Sequence, residues 1–158
     1  MRTLILYMTK HGCVEKIANM LKARIGEGVD IRNLKNDYSI DLNNYDNVII
    51  GSSIHMGKIP RRRNKFCKEN SGILINKHLG LYLCCMFEGE IAEKQFADSY
   101  PQILRDHAIA SDILGGEFNF KKMNFIDKMI VKRVASITES VCRIDNEKVV
   151  AFAEKFIQ

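Results

Sequence analysis

The sequence predicts an α/β protein built on a doubly wound parallel sheet with helices on both faces. Short apolar runs alternate along the chain with longer segments in which apolar residues recur at helical spacing. Several of the short runs are apolar at every position, which is typical of strands buried on both faces of a parallel sheet. No repeat, low-complexity tract or Pro/Gly/Ser-rich linker interrupts the pattern, so we expect a single domain over residues 1–158.

Five apolar runs predict the strands. The first, 3–8, is too short for a typical helix, and the second, 29–32, follows a glycine-rich stop. The third, 47–51, is apolar on both faces, and the fourth, 79–86, is the longest apolar run and reads as a central strand. The fifth strand is expected at 108–115.

Helical spacing of apolar residues predicts the remaining elements. The first helix, 14–25, ends at glycine, and the second, 60–69, begins at Pro60, which suits a first turn. The polar stretch 91–106 reads as one long helix. Two more helices are expected at 125–135 and 149–157. Parallel neighbours in such a sheet require crossover connections, which are right-handed in nearly all proteins.

The charge of the chain is distributed unevenly. Lys and Arg number 24 against 19 Asp and Glu, a formal net charge of +5. Residues 58–77 contain seven basic residues and one acid, residues 118–143 contain six and two, and the rest of the chain is acidic at −5. This distribution excludes a protein whose whole surface is basic. The basic run 61–63 is not interleaved with aromatic residues, so a nucleic-acid interface is disfavoured. The two basic segments are either solvated helix faces or contacts for an acidic substrate or an anionic membrane.

The compartment is inferred from features that the sequence lacks. The N-terminal apolar run is too short for a signal peptide, and no stretch approaches the roughly 18 apolar residues that span a bilayer. The five cysteines are odd in number and show no CxxC spacing, which disfavours a disulfide framework and a metal site. We therefore expect a cytoplasmic protein with reduced thiols.

The loop between the first strand and the first helix is a candidate anion site. A helix N-terminus offers unpaired N–H groups and the positive end of the helix dipole. Thr9 adds a hydroxyl, Lys10 adds a charge, and Gly12 permits close approach of a ligand to the backbone. An ordinary turn without a ligand is the alternative. The loop matches neither GxGxxG nor GxxxxGK[ST], which disfavours dinucleotides and nucleoside triphosphates.

The loops after the third and fourth strands are candidates for holding a flat ligand. Small residues at 51–53 let a planar ring lie against the backbone, and His55 and Met56 can flank it. Phe87 can cover a ring face, or it can belong to the core beside a solvated acidic turn. Doubly wound sheets bind ligands at the carboxyl ends of their strands, so the three loops together predict a phosphate cradle beside a flat slot.

Two stretches of the chain resemble the flavodoxins. Residues 4–18 look like their first strand, phosphate loop and first helix, and residues 45–54 look like their third strand and first flavin loop. The resemblance implies the flavodoxin-like strand order 2-1-3-4-5, with FMN bound at the switch point of the sheet. The cofactor-binding residues that it implies are Thr9, Lys10, His11, Gly12, Cys13 and Val14 at the phosphate, and Ser52, Ser53, Ile54, His55, Met56, Gly57, Met86, Phe87, Glu88 and Gly89 around the isoalloxazine ring.

A finer resemblance involves the loop 51–57 and the tail 125–132. Both resemble the single-domain, menaquinone-dependent protoporphyrinogen oxidases. This implies an FMN-dependent oxidoreductase that passes electrons from a porphyrinogen-type substrate to a quinone, with no catalytic nucleophile among its side chains. Together with the basic segments 58–77 and 118–143 as contacts for an anionic membrane, it favours a cytoplasmic location peripheral to the inner face of the membrane.

Two other functions remain open. One is a flavodoxin proper, a one-electron carrier to redox protein partners, although typical members are strongly acidic and this chain is not. The other is a binding module that kept the fold and lost the cofactor. Met8, His11 and Val14 stand where hydroxyl residues are common in the family's phosphate loop, which leaves Thr9 as the retained hydroxyl.

Overall fold

The main sheet consists of five parallel strands. The computed structural model describes residues 1–9, 12–54, 59–118, 124–135 and 141–157. The strands are β1 (Thr3–Met8), β2 (Val29–Asn33), β3 (Asn47–Ser53), β4 (His78–Cys84) and β5 (Ala110–Ile113). Their spatial order is β2-β1-β3-β4-β5, and every pairing is parallel. The doubly wound order 2-1-3-4-5 expected from the sequence is therefore confirmed.

Seven helices connect or flank these strands in the described part of the chain. The prediction of one helix over 91–106 is wrong, because the structure has two helices there, one over Gly89–Ser99 and one over Gln102–His107. The chain breaks between them because Pro101 lacks a backbone N–H and forces Tyr100 into an extended conformation (φ −127°, ψ 140°). No helix within the described ranges is long and apolar enough to cross a bilayer. The helices are α1 (Cys13–Ile25), α2 (Arg61–Glu69), α3 (Ser71–Leu74), α4 (Gly89–Ser99), α5 (Gln102–His107), α6 (Phe125–Ala135) and α7 (Asn146–Glu154).

A small antiparallel ribbon was not predicted from the sequence. It pairs β6 (Gly115–Phe118) with β7 (Val141–Ile144). The predicted fifth strand, 108–115, is wrong at its end, because the chain leaves the main sheet after Ile113. Gly115 makes this change of direction with φ 112°, a left-handed conformation that glycine adopts without steric strain.

The core lies in two layers, one on each face of the sheet. Alternation along β1 sends Ile5 toward the side covered by α1 and α7, and Leu4 and Leu6 toward the side covered by α2, α3 and α5. The central strands β1, β3 and β4 are buried along almost their whole length, as expected from their apolar runs. The edge strands β2 and β5 are only partly buried, so burial on both faces applies to the middle of the sheet.

Candidate functional site

The carboxyl ends of three neighbouring strands lie side by side at one edge of the sheet. The parallel register pairs Met8 of β1 with Ser52 of β3, and Ser53 of β3 with Cys84 of β4. Adjacent strands are about 4.8 Å apart, so the loops that leave β1 and β4 begin about 10 Å from each other. The fold therefore brings the three loops singled out in the sequence to a common edge.

The loop after β1 prepares the start of α1 for an anion. Gly12 is the N-cap residue of α1 with φ 92°, and its N–H donates to the Thr9 hydroxyl oxygen at 2.9 Å. Glycine has no side chain with which to accept the N–H groups of the first turn, so the cap residue leaves those donors to another acceptor. Within the described ranges, the Thr9 hydroxyl oxygen accepts this bond, and its O–H is a donor that a ligand can use.

A tyrosine holds the acidic residue of the first turn of α1. Tyr7 is buried, with 6% of the residue exposed, and its hydroxyl donates to Glu15 Oε1 at 2.8 Å. Burial, reinforced by the Glu15 carboxylate, raises the pKa of Tyr7 to about 12. A carboxylate suits a helix N-terminus but competes with a bound anion. The hydrogen bond to Tyr7 fixes where that carboxylate lies, and nothing in the local sequence pattern signalled the pair.

A second tyrosine ties β4 to the start of α1. Tyr82 is completely buried, and its side chain passes over Gly51 of β3 to donate a hydrogen bond to the Val14 carbonyl at 2.9 Å. A Cβ at Gly51 would collide with the Tyr82 ring. Burial raises the pKa of Tyr82 well above its usual value, so the hydroxyl remains a donor. A glycine within an apolar strand is the signal that predicts such a close approach.

The predicted phosphate and ring residues differ in what they expose. Cys13 and Val14 are buried in the layer beneath α1, and Ser52 is buried with its hydroxyl 3.4 Å from the Ser53 carbonyl. These residues offer a ligand their backbone rather than their side chains. Ser53 and Ile54 are half-buried at the end of β3, and Ile54 packs against the small cluster of Leu83, Cys85 and Ala92.

The loop after β4 presents an aromatic side chain to solvent. Phe87 is 42% exposed, which excludes the interpretation of this residue as core. Met86 beside it is half-buried, and Glu88 and Gly89 are exposed, with Gly89 at φ 61° opening α4. An exposed phenyl ring at this edge of the sheet is suited to covering one face of a planar ligand.

The ribbon β6–β7 fixes this loop from behind. The Cys85 N–H donates to the Gly115 carbonyl at 2.8 Å, and the Cys85 thiol donates to Gln95 Oε1 at 2.8 Å. Burial raises the pKa of Cys85, which keeps the thiol protonated and able to donate. Gly116 has no Cβ, and a Cβ there would lie 2.8 Å from the Cys85 backbone. The two glycines thus allow the ribbon to support the β4 loop.

A cavity of about 470 Å³ opens next to the β4 loop, among α4, the end of β5 and the corner between β7 and α7. Lys148 bridges it by pairing with Asp112 at 2.9 Å. Acidic side chains outnumber basic ones in its lining, so its charge balance does not favour an anionic ligand. Sequence reasoning missed it because its residues come from five separate elements. The ionisable lining residues are Glu88, Glu93, Asp112, Asp145, Arg143 and Lys148.

Some candidate residues lie outside the described part of the chain. These are Lys10, His11, His55, Met56 and Gly57. Within the described ranges, no group of three or more His, Cys, Asp and Glu side chains is arranged to hold a metal ion. Four of the five cysteines are buried and form no disulfide: Cys13, Cys67, Cys84 and Cys85.

Comparison with known families gives one match over most of the chain. A family model described as a flavodoxin domain matches residues 4–143. No curated protein matches the sequence significantly.

Solved structures with the same fold include three informative examples. The rubredoxin:oxygen oxidoreductase of Desulfovibrio gigas superposes with a TM-score of 0.61 at 16% identity, over 98% of this chain but only 35% of its own length. Oxidised flavodoxin 2 from Bacillus cereus gives 0.60 at 19% identity, over 99% and 97% of the two chains. The Fusobacterium nucleatum flavodoxin bound to flavin mononucleotide gives 0.50 at 12% identity, over 98% and 96%. At these identities the likeness shows the shared fold.

Proposed function

Because this chain belongs to the flavodoxin domain family, we propose that it is an FMN-binding protein that carries out electron transfer. The observation that carries the proposal is the edge where β1, β3 and β4 end. There the glycine-capped start of α1 and the loop that carries the exposed Phe87 leave the same edge of the sheet, on either side of β3. Doubly wound sheets bind their ligands at this edge, and FMN occupies the switch point in flavodoxins.

The described residues fit FMN at both ends of the site. At the phosphate end, the first turn of α1 has N–H donors that its cap residue does not satisfy, and Thr9 can donate a hydroxyl proton. At the ring end, Phe87 and Met86 provide apolar surface next to half-buried Ser53. The family's usual hydroxyls are missing at Met8 and Val14, so the backbone N–H groups supply most of the contacts to the phosphate.

The side chains position the cofactor rather than perform chemistry of their own. When bound, FMN supplies the capacity to accept and release electrons. Tyr82 holds the start of α1 against the sheet through Val14, and Tyr7 holds the Glu15 carboxylate at a defined place in the first turn of α1. Cys85 and Gly115 hold the β4 loop, which carries Phe87 at this edge of the sheet. No side chain is assigned a nucleophilic role.

The finer form of the proposal is an oxidoreductase of the protoporphyrinogen oxidase type, acting from the cytoplasm at the inner face of the membrane. It would oxidise a porphyrinogen-type substrate and pass the electrons to a quinone. Its support is the resemblance of 51–57 and 125–132 to those enzymes, together with the basic segments 58–77 and 118–143 as surfaces for an anionic membrane. The acid surplus in the cavity beside the β4 loop does not add to this support.

A one-electron carrier serving a redox protein partner is the second candidate. It is favoured by the flavodoxins among the structural relatives, which align with this chain over nearly the full length of both. The acidic lining of the cavity next to the β4 loop suits a basic patch on a protein partner better than an anionic substrate.

The visible absorption spectrum tests the cofactor first. The purified protein, or protein reconstituted with FMN, is expected to show flavin bands and to quench the fluorescence of added FMN. A colourless protein that leaves FMN fluorescence unchanged would instead identify a binding module that has lost the cofactor.

Anaerobic reduction separates the two redox functions. Bleaching of the flavin bands by protoporphyrinogen, followed by recovery on adding a menaquinone analogue, supports the oxidase. Reduction by a flavodoxin reductase, followed by transfer to a protein acceptor, supports the carrier. If neither donor bleaches the bands while dithionite does, both specific assignments fail and only the flavoprotein remains.

A further inference from the structure

Helix α6 presents three large apolar side chains to solvent. Phe125 is 76% exposed, Ile126 68% and Met129 56%. Elsewhere in the described chain, no window of five residues contains three apolar side chains exposed by more than half. Single exposed apolar residues are normal, but a contiguous cluster of this kind marks an interaction surface.

The apolar cluster continues into a basic cluster on the same side of α6. Lys132 and Arg133 follow Phe125 by seven and eight residues, a spacing that returns to the same side of an α-helix. Both are exposed, and they line one shallow groove together with the three apolar residues. The helix has 11 residues and is about 16 Å long, which is too short to cross a bilayer but suitable for lying in its interface.

We propose that α6 is a membrane-docking helix that inserts Phe125, Ile126 and Met129 between the headgroups of an anionic lipid surface, where Lys132 and Arg133 meet lipid phosphates. The inference rests on the peripheral location included in the proposed function and specifies the surface responsible. Lipid suits this face better than a folded partner does, because protruding apolar side chains enter a fluid interface without a preformed complementary pocket. Basic residues beside them match the charge of anionic headgroups.

The other basic segment lacks these features. In α2 the large apolar residue Phe66 is 1% exposed, and Cys67 next to it is fully buried. Two of the exposed cations of that helix already have partners within the fold. The Arg62 guanidinium lies 5.0 Å from the centroid of the Tyr38 ring, and Lys65 pairs with Glu69 at 3.6 Å. The structure therefore assigns the insertion to α6 and not to α2.

Vesicle cosedimentation tests the assignment on the full-length protein. The wild type is expected to bind vesicles of equal parts phosphatidylglycerol and phosphatidylcholine, to bind pure phosphatidylcholine weakly, and to dissociate as salt rises. Replacing Phe125, Ile126 and Met129 with serine is expected to lower the partition coefficient by about tenfold or more. These side chains are exposed, so the variant keeps its fold.

A charge-matched pair of double variants separates the two helices. Lys132→Gln with Arg133→Gln removes two exposed cations from α6, and we expect about fivefold weaker partitioning for each charge. Arg61→Gln with Lys68→Gln removes two exposed cations from α2 and is expected to change partitioning less than about twofold. Equal losses in both pairs would reduce the effect to general charge attraction and overturn the insertion.

Tryptophan fluorescence reports insertion directly, because the chain contains no tryptophan. Phe125→Trp is expected to shift its emission to the blue on adding the anionic vesicles. Ile73→Trp on α3, where the native side chain is 38% exposed, is the control and is expected to keep its emission.

Three further results would overturn the inference: a wild type that binds neither vesicle, a triple serine variant that binds as well as the wild type, or no shift at position 125. The first would point to a protein partner for this face. Titrating FMN into the same preparations keeps the two proposals distinguishable. Vesicle binding without FMN binding removes the redox function alone, and FMN binding without vesicle binding removes the membrane inference alone.

Discussion

Helices α2 and α6 are alike in length and charge but differ in whether their apolar side chains are buried. Both are short, basic and amphipathic, and each lies within one of the segments that make the chain basic. In α2 the apolar residues face the core, and even Arg63 is fully buried. In α6 the apolar residues Phe125, Ile126 and Met129 face solvent. A basic segment therefore does not identify an interaction surface by its charge, whereas the exposure of its apolar residues does.

The largest effect expected from this contrast is on stability. Phe66→Ala in α2 removes a buried ring that packs edge-on against Tyr38, and it is expected to lower the free energy of unfolding by about 3–5 kcal/mol. Phe125→Ala in α6 is expected to change it by less than about 0.5 kcal/mol. Urea unfolding measures both. Similar losses in the two variants would mean that α6 is packed and that its face is not free.

The buried arginine of α2 should give the next largest difference. The Arg63 Nη1 donates to the Ser99 carbonyl, and the guanidinium lies 4.5 Å from the centroid of the Tyr100 ring. We expect Arg63→Ala to lower the free energy of unfolding by about 2–3 kcal/mol, because it leaves a cavity and an unpaired carbonyl. Arg133→Ala, on the exposed side of α6, is expected to change it by less than about 0.5 kcal/mol.

Arg63→Met keeps most of the buried stem while removing the charge. Among the described residues Nε and Nη2 of Arg63 have no hydrogen-bond partner, so their removal relieves a desolvated charge. The methionine variant should therefore be more stable than the alanine variant. If Arg63→Met is no more stable than Arg63→Ala, packing of the buried stem does not stabilise the helix.

A third contrast separates the α6 surface from the cofactor site. Thr9→Val removes a hydroxyl that can donate to the phosphate, and it is expected to weaken FMN binding about tenfold, as the loss of one charge-assisted hydrogen bond would. Lys132→Gln with Arg133→Gln should leave FMN affinity unchanged. Fluorescence titration of FMN measures both. A loss of affinity in the α6 variant would place α6 against the flavin site and contradict a separate role.

The smallest effect concerns a hydrogen bond that anchors α2. The Tyr38 hydroxyl donates to Glu69 Oε2 at 2.7 Å, and burial together with Glu69 raises the pKa of Tyr38 to about 12. The protonated phenol thus favours the folded state. This contribution is fully present below about pH 10 and is lost as the pH rises toward 12. Tyr38→Phe should remove about 1 kcal/mol at neutral pH and flatten that part of the profile.

The pH profile of unfolding gives the control for this prediction. Helix α6 contains no tyrosine, so Phe125→Ser should leave the alkaline profile of the wild type unchanged. A Tyr38→Phe protein with the same alkaline loss as the wild type would assign that loss to the other buried tyrosines.

The fold was largely predictable because its strongest signals are local. The apolar runs that became β1, β3 and β4 are buried on both faces, and such runs fit the centre of a parallel sheet. The errors occurred where a single residue redirects the chain. Pro101 divides the helical stretch 91–106, and Gly115 turns the chain into the ribbon β6–β7. Short paired strands such as β7 carry little periodic pattern of their own.

The sequence predicted which loops meet at the candidate site, but not the long-range contacts that hold those loops in place. The loops after β1, β3 and β4 could be located because the ends of parallel strands share an edge. The contact of Tyr82 with Val14 joins residues 68 positions apart, and the cavity beside Phe87 combines five elements. Such contacts depend on the packed arrangement of the whole sheet, which a local pattern does not encode.

The sequence by itself determined the class of fold and the loops that meet at the ligand edge, because both follow from local periodicity and from glycine and proline positions. The strand order 2-1-3-4-5 was implied by the resemblance to the flavodoxins. The sequence also determined that the net charge of +5 comes from two segments. Only the tertiary structure decided which of those segments has a free apolar face. The difference depends on what packs against each helix, because Phe66 of α2 is buried in the core and Phe125 of α6 is exposed to solvent.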